Sequence, residues 1–463
     1  MAVSRQAEPA PRSLLGVDVG SAFTKAALFE LVDGRHRLIA RGQARTTADK
    51  HVFDGLEQAC REIEELTGRQ LFSAGEPLAG DVSGGRGVDA LAVSVSCQPP
   101  LRVLATGLAS AEAARSERAQ VTTLAEGSLR DRVAQLAGRD FDAIAGPRDD
   151  VELAAQCLGR DFQADRPALV CGSPDEIRAE LGKLALRTAV EDVAGLAELE
   201  AEATEPLVTG SAALLELARI VAERYGLRLA IADAGASHVT IACASSADAW
   251  VRTIERDGTR LDMPTSTARM RAMHEDLERA LGEVAPAGLM ADLLLGTGAL
   301  ARFRRWAEPV LTVLNGIQPA GVIQLALDSA NIVSQIATLA RGYPDIACQL
   351  FESDGLVGLG AAVCPSGDAR KGANVVEVRW HSDDEPEESV SVNSGELTRV
   401  PLRPGQKASL ALYPAKGIDV GLNRAGVAAS AHVDGGRVGL VVDGRLAAGE
   451  KRGDRERWEA ALE

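Results

Sequence analysis

Aromatic side chains are scarce: Phe, Tyr and Trp make up 3% of the 463 residues, so the interior has to be built from aliphatic groups. Hydrophobic residues still reach 46%. A chain of this length is expected to divide into two or three domains. The seven cysteines (Cys60, Cys97, Cys157, Cys171, Cys243, Cys348, Cys364) form no Cys-x-x-Cys pair. They read as single thiols in a reducing compartment, not as a disulfide frame. The six histidines have no metal-ligand spacing to a cysteine or to each other, so the pattern holds no structural zinc. No run approaches the roughly 18 apolar residues of a membrane span. Met1 to Arg12 also lacks the apolar stretch of a secretory signal. Cationic excess is missing as well: 50 Lys and Arg face 66 Asp and Glu, a net charge of −16. Such a chain repels a nucleic-acid backbone and an anionic membrane. The expectation is a cytoplasmic protein that binds neither, with its oligomeric state open. The one basic run, Arg302-Phe303-Arg304-Arg305, is expected to be a solvated helix face.

What is present begins at Leu14. An apolar run ends in Asp18, passes through Gly20-Ser21, and leaves as a second apolar run carrying Thr24 and Lys25. Asp33-Gly34, a strong hairpin signal, then leads into a third run at Leu38-Ile39-Ala40. A strand–turn–strand of this kind differs from a Walker loop, which runs from a strand into a helix. Small residues at the turn bare backbone N–H groups that can cradle phosphate oxygens. Asp18, at the strand end, offers the carboxylate oxygens that Mg²⁺ takes. The bland alternative is an ordinary hairpin whose Asp caps its turn, with Lys25 a solvated strand-end lysine.

Further along, Phe53 to Thr67 has helical spacing, with Leu56, Ala59, Cys60, Ile63 and Leu66 on one face. Ala90–Ser96 and Leu101–Thr106 read as strands, Ala109–Ala119 as a helix, and Phe141–Gly146 and Ala168–Cys171 as short strands before helices. This alternation is of the doubly wound kind. The run Leu229 to Cys243 then repeats the opening: an apolar strand ends in Asp233, turns through Gly235-Ala236-Ser237, and continues as an apolar strand. Two such turns predict a duplicated fold with one phosphate loop per lobe and a carboxylate from each. Leu293-Leu294-Leu295 enters a Gly296-Thr297-Gly298 turn, and a Rossmann fingerprint competes for that segment. Against it, no acidic residue stands about twenty positions on at the end of a second strand. From Val375 the pattern becomes alternating runs between Pro and Gly turns, which predicts a small all-β domain. Asp383 to Glu388 reads as a solvated acidic tip, and Trp458 and Leu462 as the docking side of a short terminal helix.

The opening Asp18-Val19-Gly20-Ser21 resembles the first phosphate loop of the actin-like ATPase superfamily. The chain as a whole is similar to the MutL/GlmL accessory proteins associated with adenosylcobalamin-dependent glutamate mutase. That resemblance is carried by Asp18 to Leu28, Arg102-Val103-Leu104-Ala105-Thr106-Gly107-Leu108, Leu295 to Gly298, Asn315 to Val322, Leu325 to Asp328, Pro404 to Ala408 and Pro414 to Gly417. It implies an α/β fold: a two-lobed actin-like, ribonuclease H-like core with a small C-terminal all-β domain. The expected divisions are 13–228 for a first lobe with an inserted α/β region, 229–367 for a second lobe, and 372–463 for the β-rich domain.

The implied role is an ATP-binding, reactivating chaperone-like accessory protein, a possible weak ATPase, whose partner is a cobalamin-dependent mutase subunit. Cobalamin enters only through that client. Gly20, Ser21, Thr24 and Lys25 are then expected at the phosphates from one side, and Gly235, Ala236 and Ser237 from the other. Asp18 and Asp233 would hold Mg²⁺, and Gly296 and Gly298 would pack on the adenosine. A small-molecule kinase of the same fold and a degenerate non-catalytic scaffold are the alternatives. Three turns depart from the family pattern: Ser94 to Pro100, Ala145 to Asp150, and the second loop, where Gly235-Ala236-Ser237-His238-Val239-Thr240 stands for a Gly-Gly-Ala-Thr-Thr-Asp-like stretch and loses one Gly and the second Asp. The added Cβ of Ala236 puts binding and hydrolysis in question.

Overall fold

The computed structural model describes residues 10–80, 85–124, 132–133, 135–136, 139–158, 167–256, 267–382, 386–446 and 455–463. Residues 1–9 and the acidic 383–385, both read from sequence above, lie outside these. The chain divides into two compact units, one of 1–99, 182–213 and 332–354, the other of 100–181, 214–331 and 355–463.

In the first unit, β1 (Ser13–Val19) is buried along its whole length. It pairs antiparallel with β2 (Phe23–Val32), which pairs antiparallel with β3 (Arg35–Arg45). Asp33 and Gly34 join β2 to β3 with φ of +49° and +80°, the positive pair that a two-residue hairpin turn requires. The helix Val52–Thr67 covers this sheet with Val52, Leu56, Ala59, Cys60 and Ile63. Gly42 of β3 permits the close approach, since a Cβ there would overlap the Ala59 carbonyl. The helix ends at Gly68 (φ +71°), whose N–H returns to the Glu64 carbonyl. Leu66, placed on the core face by its spacing, is instead exposed, because the last turn has left the packed face. After a short hairpin of β4 (Phe72–Ser73) and β5 (Glu76–Pro77), β6 (Ala90–Val95) runs parallel beside β1.

The second unit contains a four-stranded sheet of β7 (Leu101–Ala105), β8 (Ala119–Thr123), β9 (Ala143–Gly146) and β10 (Ala168–Cys171). Its strands are all parallel, in the order β10-β9-β7-β8. The helix expected over Ala109–Ala119 is shorter, Leu108–Ala114, and Ala119 already opens β8. β-branched Val121, Thr122 and Thr123 suit an extended backbone better than another helical turn. Back in the first unit, β11 (Val208–Thr209) completes the sheet in the order β11-β6-β1-β2-β3, with β6 and β11 parallel.

The eight-stranded sheet of the second unit repeats that arrangement. β12 (Leu229–Ala234), β13 (His238–Ala244) and β14 (Ala249–Glu255) form an antiparallel meander. β15 (Leu293–Gly298) and β16 (Gly321–Asp328) follow in parallel on the other side of β12. Both sheets thus run three-two-one-four-five with the same strand directions, the ribonuclease H-like order. The protein has an actin-like ATPase fold, as the sequence predicted. β17 (Leu356–Cys364) extends the second sheet. Of the later strands, β18 (Asn374–Ser382), β19 (Glu388–Asn393), β21 (Lys407–Pro414) and β22 (Ala429–Asp434) make an antiparallel sheet of their own. β20 (Leu397–Val400) and β23 (Gly439–Asp443) join the eight-stranded one. All seven cysteines are free thiols. No described helix is long and apolar enough to cross a membrane.

The terminal helix Arg455–Leu462 docks as expected, burying Trp458 and Leu462 in the core of the second unit. Its Arg455 forms an ion pair with Glu278 and donates to the Glu308 carbonyl at 3.1 Å and to Thr312 Oγ1 at 3.1 Å. Beside it His274 packs edge-on to Phe303, ring centroids 4.7 Å apart. Burial first, then the Arg455 charge, lowers the His274 pKa to about 3. The folded chain therefore holds this imidazole neutral where the unfolded chain takes up a proton. Its contribution is present above the unfolded value near 6.5 and is lost as pH falls toward 3. His274→Leu should reduce the loss of stability between about pH 7 and pH 5 by about 2 kcal/mol, read from thermal melts at the two values.

Candidate functional site

The two predicted turns each occupy the mouth of one sheet. In the first unit, Asp18 is the last-but-one residue of β1 and 8% exposed. Its register partners are Lys25 across the hairpin and Ser94 on parallel β6. Ser94 donates its hydroxyl to Asp18 Oδ1 at 3.1 Å. The turn is closed by the Gly20 N–H on the Phe23 carbonyl at 3.1 Å. Thr46 fastens it from outside, with its hydroxyl on the Gly20 carbonyl at 2.7 Å and its N–H on the Ala22 carbonyl at 3.0 Å. A Cβ at Gly20 would lie 2.7 Å from the Phe23 carbonyl oxygen, so only glycine closes this turn. Ser21 and Lys25 are partly exposed. Thr24 is fully buried, with Oγ1 3.1 Å from that of Thr46, and so braces the turn from below. Behind β1, Gly16 lets the Gln335 carbonyl of helix Val333–Leu339 come within 2.5 Å of where its Cβ would be.

In the second unit Asp233 holds the same place on β12, opposite Thr240 on β13 and Thr297 on parallel β15. Gly235 to His238 make the turn, and a Cβ at Gly235 would lie 2.9 Å from the His238 carbonyl. Ala236 and Ser21 stand at equivalent positions, and neither has a positive φ. The methyl of Ala236 therefore carries no backbone strain, which removes one objection the sequence raised. Ser237 Oγ lies 3.2 Å from His238 Nδ1. Arg256 pins the turn from the side: Nη1 donates to the Gly235 carbonyl at 2.9 Å and its N–H to the Ser237 carbonyl at 2.8 Å. Asp276 in turn accepts from Arg256 Nε at 2.9 Å.

The Gly-Thr-Gly segment belongs to the same place. Gly298, at φ +70° and ψ −126°, is in a conformation open to glycine, and a Cβ there would come 2.6 Å from Asp233 Oδ1. Its bare backbone leaves room for the carboxylate. Gly296 is different: it is buried, and a Cβ there would meet Leu300 at 3.2 Å and Leu327 at 3.3 Å. Thr297 turns its hydroxyl away from its register partner to Asp328 Oδ2, at 2.7 Å.

Two residues of this site were not singled out in the sequence. Asp328 closes β16 and is fully buried. Its signal was available: Leu325-Ala326-Leu327-Asp328 is a third apolar run ending in Asp, like those before Asp18 and Asp233. Arg256 had no signal, because it reaches the turn only through the return of β14. Among the described residues no three His, Cys, Asp or Glu converge as a metal cage. The donors present are one strand-end carboxylate at each turn mouth, with Gly298 beside Asp233. That set fits a hard cation keeping most of its shell in water and phosphate oxygens, as Mg²⁺ does.

A family model described as MutL protein matches residues 14–151. Over this stretch the chain is similar to the MutL family. The MutL region spans β1 to β9 and the Asp18 turn. A search of curated proteins gives no match. Solved structures similar to the chain include nucleotide-free acetone carboxylase, at 10% identity over 83% of this chain and 81% of that one, TM-score 0.32. A Bacteroides thetaiotaomicron protein with an actin-like ATPase fold and unknown function aligns at 11% identity over 71% and 96%, TM-score 0.28. Ethanolamine utilization protein EutJ from Carboxydothermus hydrogenoformans aligns at 11% over 74% and 90%, TM-score 0.29. The fold of the chain rests on its own strand orders.

Gly298→Ala should destabilise the second unit by about 1–3 kcal/mol, since alanine cannot take that backbone without strain. Gly358→Ala, where no atom lies within 4 Å of the added methyl, should cost less; chemical denaturation of both variants compares them.

Proposed function

We propose that this chain is an ATP-binding accessory protein for a cobalamin-dependent mutase such as glutamate mutase, acting as a nucleotide-switched, chaperone-like partner. The observation that supports it is the recurrence of one unit in both sheets: a strand-end Asp, a glycine-closed turn, and a hydroxyl residue in register on the next parallel strand. In this reading the phosphates are taken by backbone N–H groups at Gly20-Ser21 and at Gly235-Ala236-Ser237, with Lys25 adding charge. Asp18 and Asp233 hold Mg²⁺ through its waters, and the metal offsets the phosphate charge when bound. Thr24 and Arg256 keep the two turns in shape. Gly298 keeps the approach to Asp233 open and forms the adenosine side, backed by Gly296. Any hydrolysis would be electrostatic positioning of the terminal phosphate. The client is inferred from the MutL family match and reaches cobalamin only through that partner.

Thermal unfolding with and without millimolar Mg·ATP tests this. Saturating ligand at about 100 times its Kd should stabilise the parent by about 2.7 kcal/mol. Asp18→Asn and Asp233→Asn should each abolish most of that gain. An unchanged melting temperature in the parent rejects the nucleotide reading.

A further inference from the structure

The basic run Arg302-Phe303-Arg304-Arg305 is not the helix face the sequence suggested. A 3-10 turn, Ala299–Arg302, ends on its first residue, and the next helix begins at Ala307. Phe303 and Ala307 are buried anchors in the core of the second unit. Between them the Glu308 carboxylate accepts the N–H groups of Arg304 at 3.1 Å and Arg305 at 3.0 Å. The backbone is thereby held, and the intervening side chains stand outward: Arg305 is 59% exposed and Trp306 38%.

Other parts of the chain bring more arginine to the same place. Arg437 lies over the Trp306 ring, 5.6 Å from its centroid. Arg399 donates to the carbonyl of Val438 at 2.6 Å and to that of Glu463 at 3.0 Å. Glu463 also accepts from Arg305 at 2.9 Å. Arg304 and Arg437 have no carboxylate partner among the described residues. An acidic chain of net charge −16 thus carries a cluster of guanidinium groups around an exposed indole, with Arg305 paired to Glu463 at 2.9 Å and to Glu459 at 4.0 Å.

We propose that this face docks a short carboxylate-rich segment of a partner protein. Arginine and tryptophan on a rigid support are the composition of interface anchors. Guanidinium forks match carboxylates in pairs, and the Trp306 ring offers apolar contact beside them. Screening decides between polyanions. With a Debye length of about 8 Å at physiological salt, a short peptide meets only the local positive face. A nucleic-acid duplex extends past it and meets the field of a chain of net charge −16, which repels it. The proposal does not rest on the nucleotide reading.

Fluorescence anisotropy of a labelled hexaglutamate peptide with the full chain at about 50 mM salt tests it. Saturable binding should weaken about tenfold or more in Arg304→Glu/Arg437→Glu and in Trp306→Ala, and should fall as salt rises. Arg61→Glu, at an exposed helix position paired with Glu57, should leave it unchanged. Melts of each variant confirm that it is folded; the two exposed arginine changes keep the test valid if Trp306→Ala is not. Absent saturable binding, an equal loss in Arg61→Glu, or binding of a short DNA duplex in place of the peptide overturns the proposal.

Discussion

Two parallel strand pairings organise everything around the turns. β1 lies beside β6 so that Asp18 faces Ser94, and β12 lies beside β15 so that Asp233 faces Thr297. Burying a carboxylate at a strand end is costly unless a donor meets it. The register supplies one at Asp18, and the neighbouring strand is therefore fixed relative to the turn. At Asp233 the solution differs: Thr297 serves the fully buried Asp328, and Asp233 keeps a more open side toward Gly298. The same strand-end motif thus differs between the two sheets, Asp18 being buried and Asp233 partly exposed.

Much of this was readable in the chain, for physical reasons. Apolar runs of strand length ending in Asp give β1 and β12, and Asp33-Gly34 can make little but a tight hairpin. The terminal helix announced itself through Trp458 and Leu462. What escaped reading depended on distant residues. The alanine-rich stretch near Ala109 favours helix, yet the strand at Ala119 takes over because β7 offers it a parallel neighbour. Leu66 has helical spacing but lies past the packed face. The arginine run was misplaced because its neighbours, Phe303 and Ala307, anchor a loop and not a helix side. Thr24 and Gly296 have the right residue types for a ligand site, and the fold buries both.

Few aromatics did not prevent well-filled cores. Alanine, leucine and valine fill both sheets, and glycines at Gly16 and Gly42 let backbone approach backbone where a side chain would hold elements apart. Charge is handled by pairing. Arg445 is fully buried on Asp443 with Trp458 over its guanidinium, 5.2 Å from the ring centroid. The attraction within a buried pair of this kind is largely offset by the cost of taking both charges out of water.

The helix that backs β1 comes from Val333–Leu339, more than three hundred positions along the chain from Gly16, which it touches. The first sheet is also interrupted, since β11 reaches β6 only after the four-stranded insertion. On the ribosome, then, the opening strands emerge long before their last partners exist. At roughly 5–20 residues per second, they wait on the order of tens of seconds. During that interval the face of β1 at Gly16 lacks the helix that covers it in the finished fold, and it is apolar surface of the kind that makes nascent chains prone to associate.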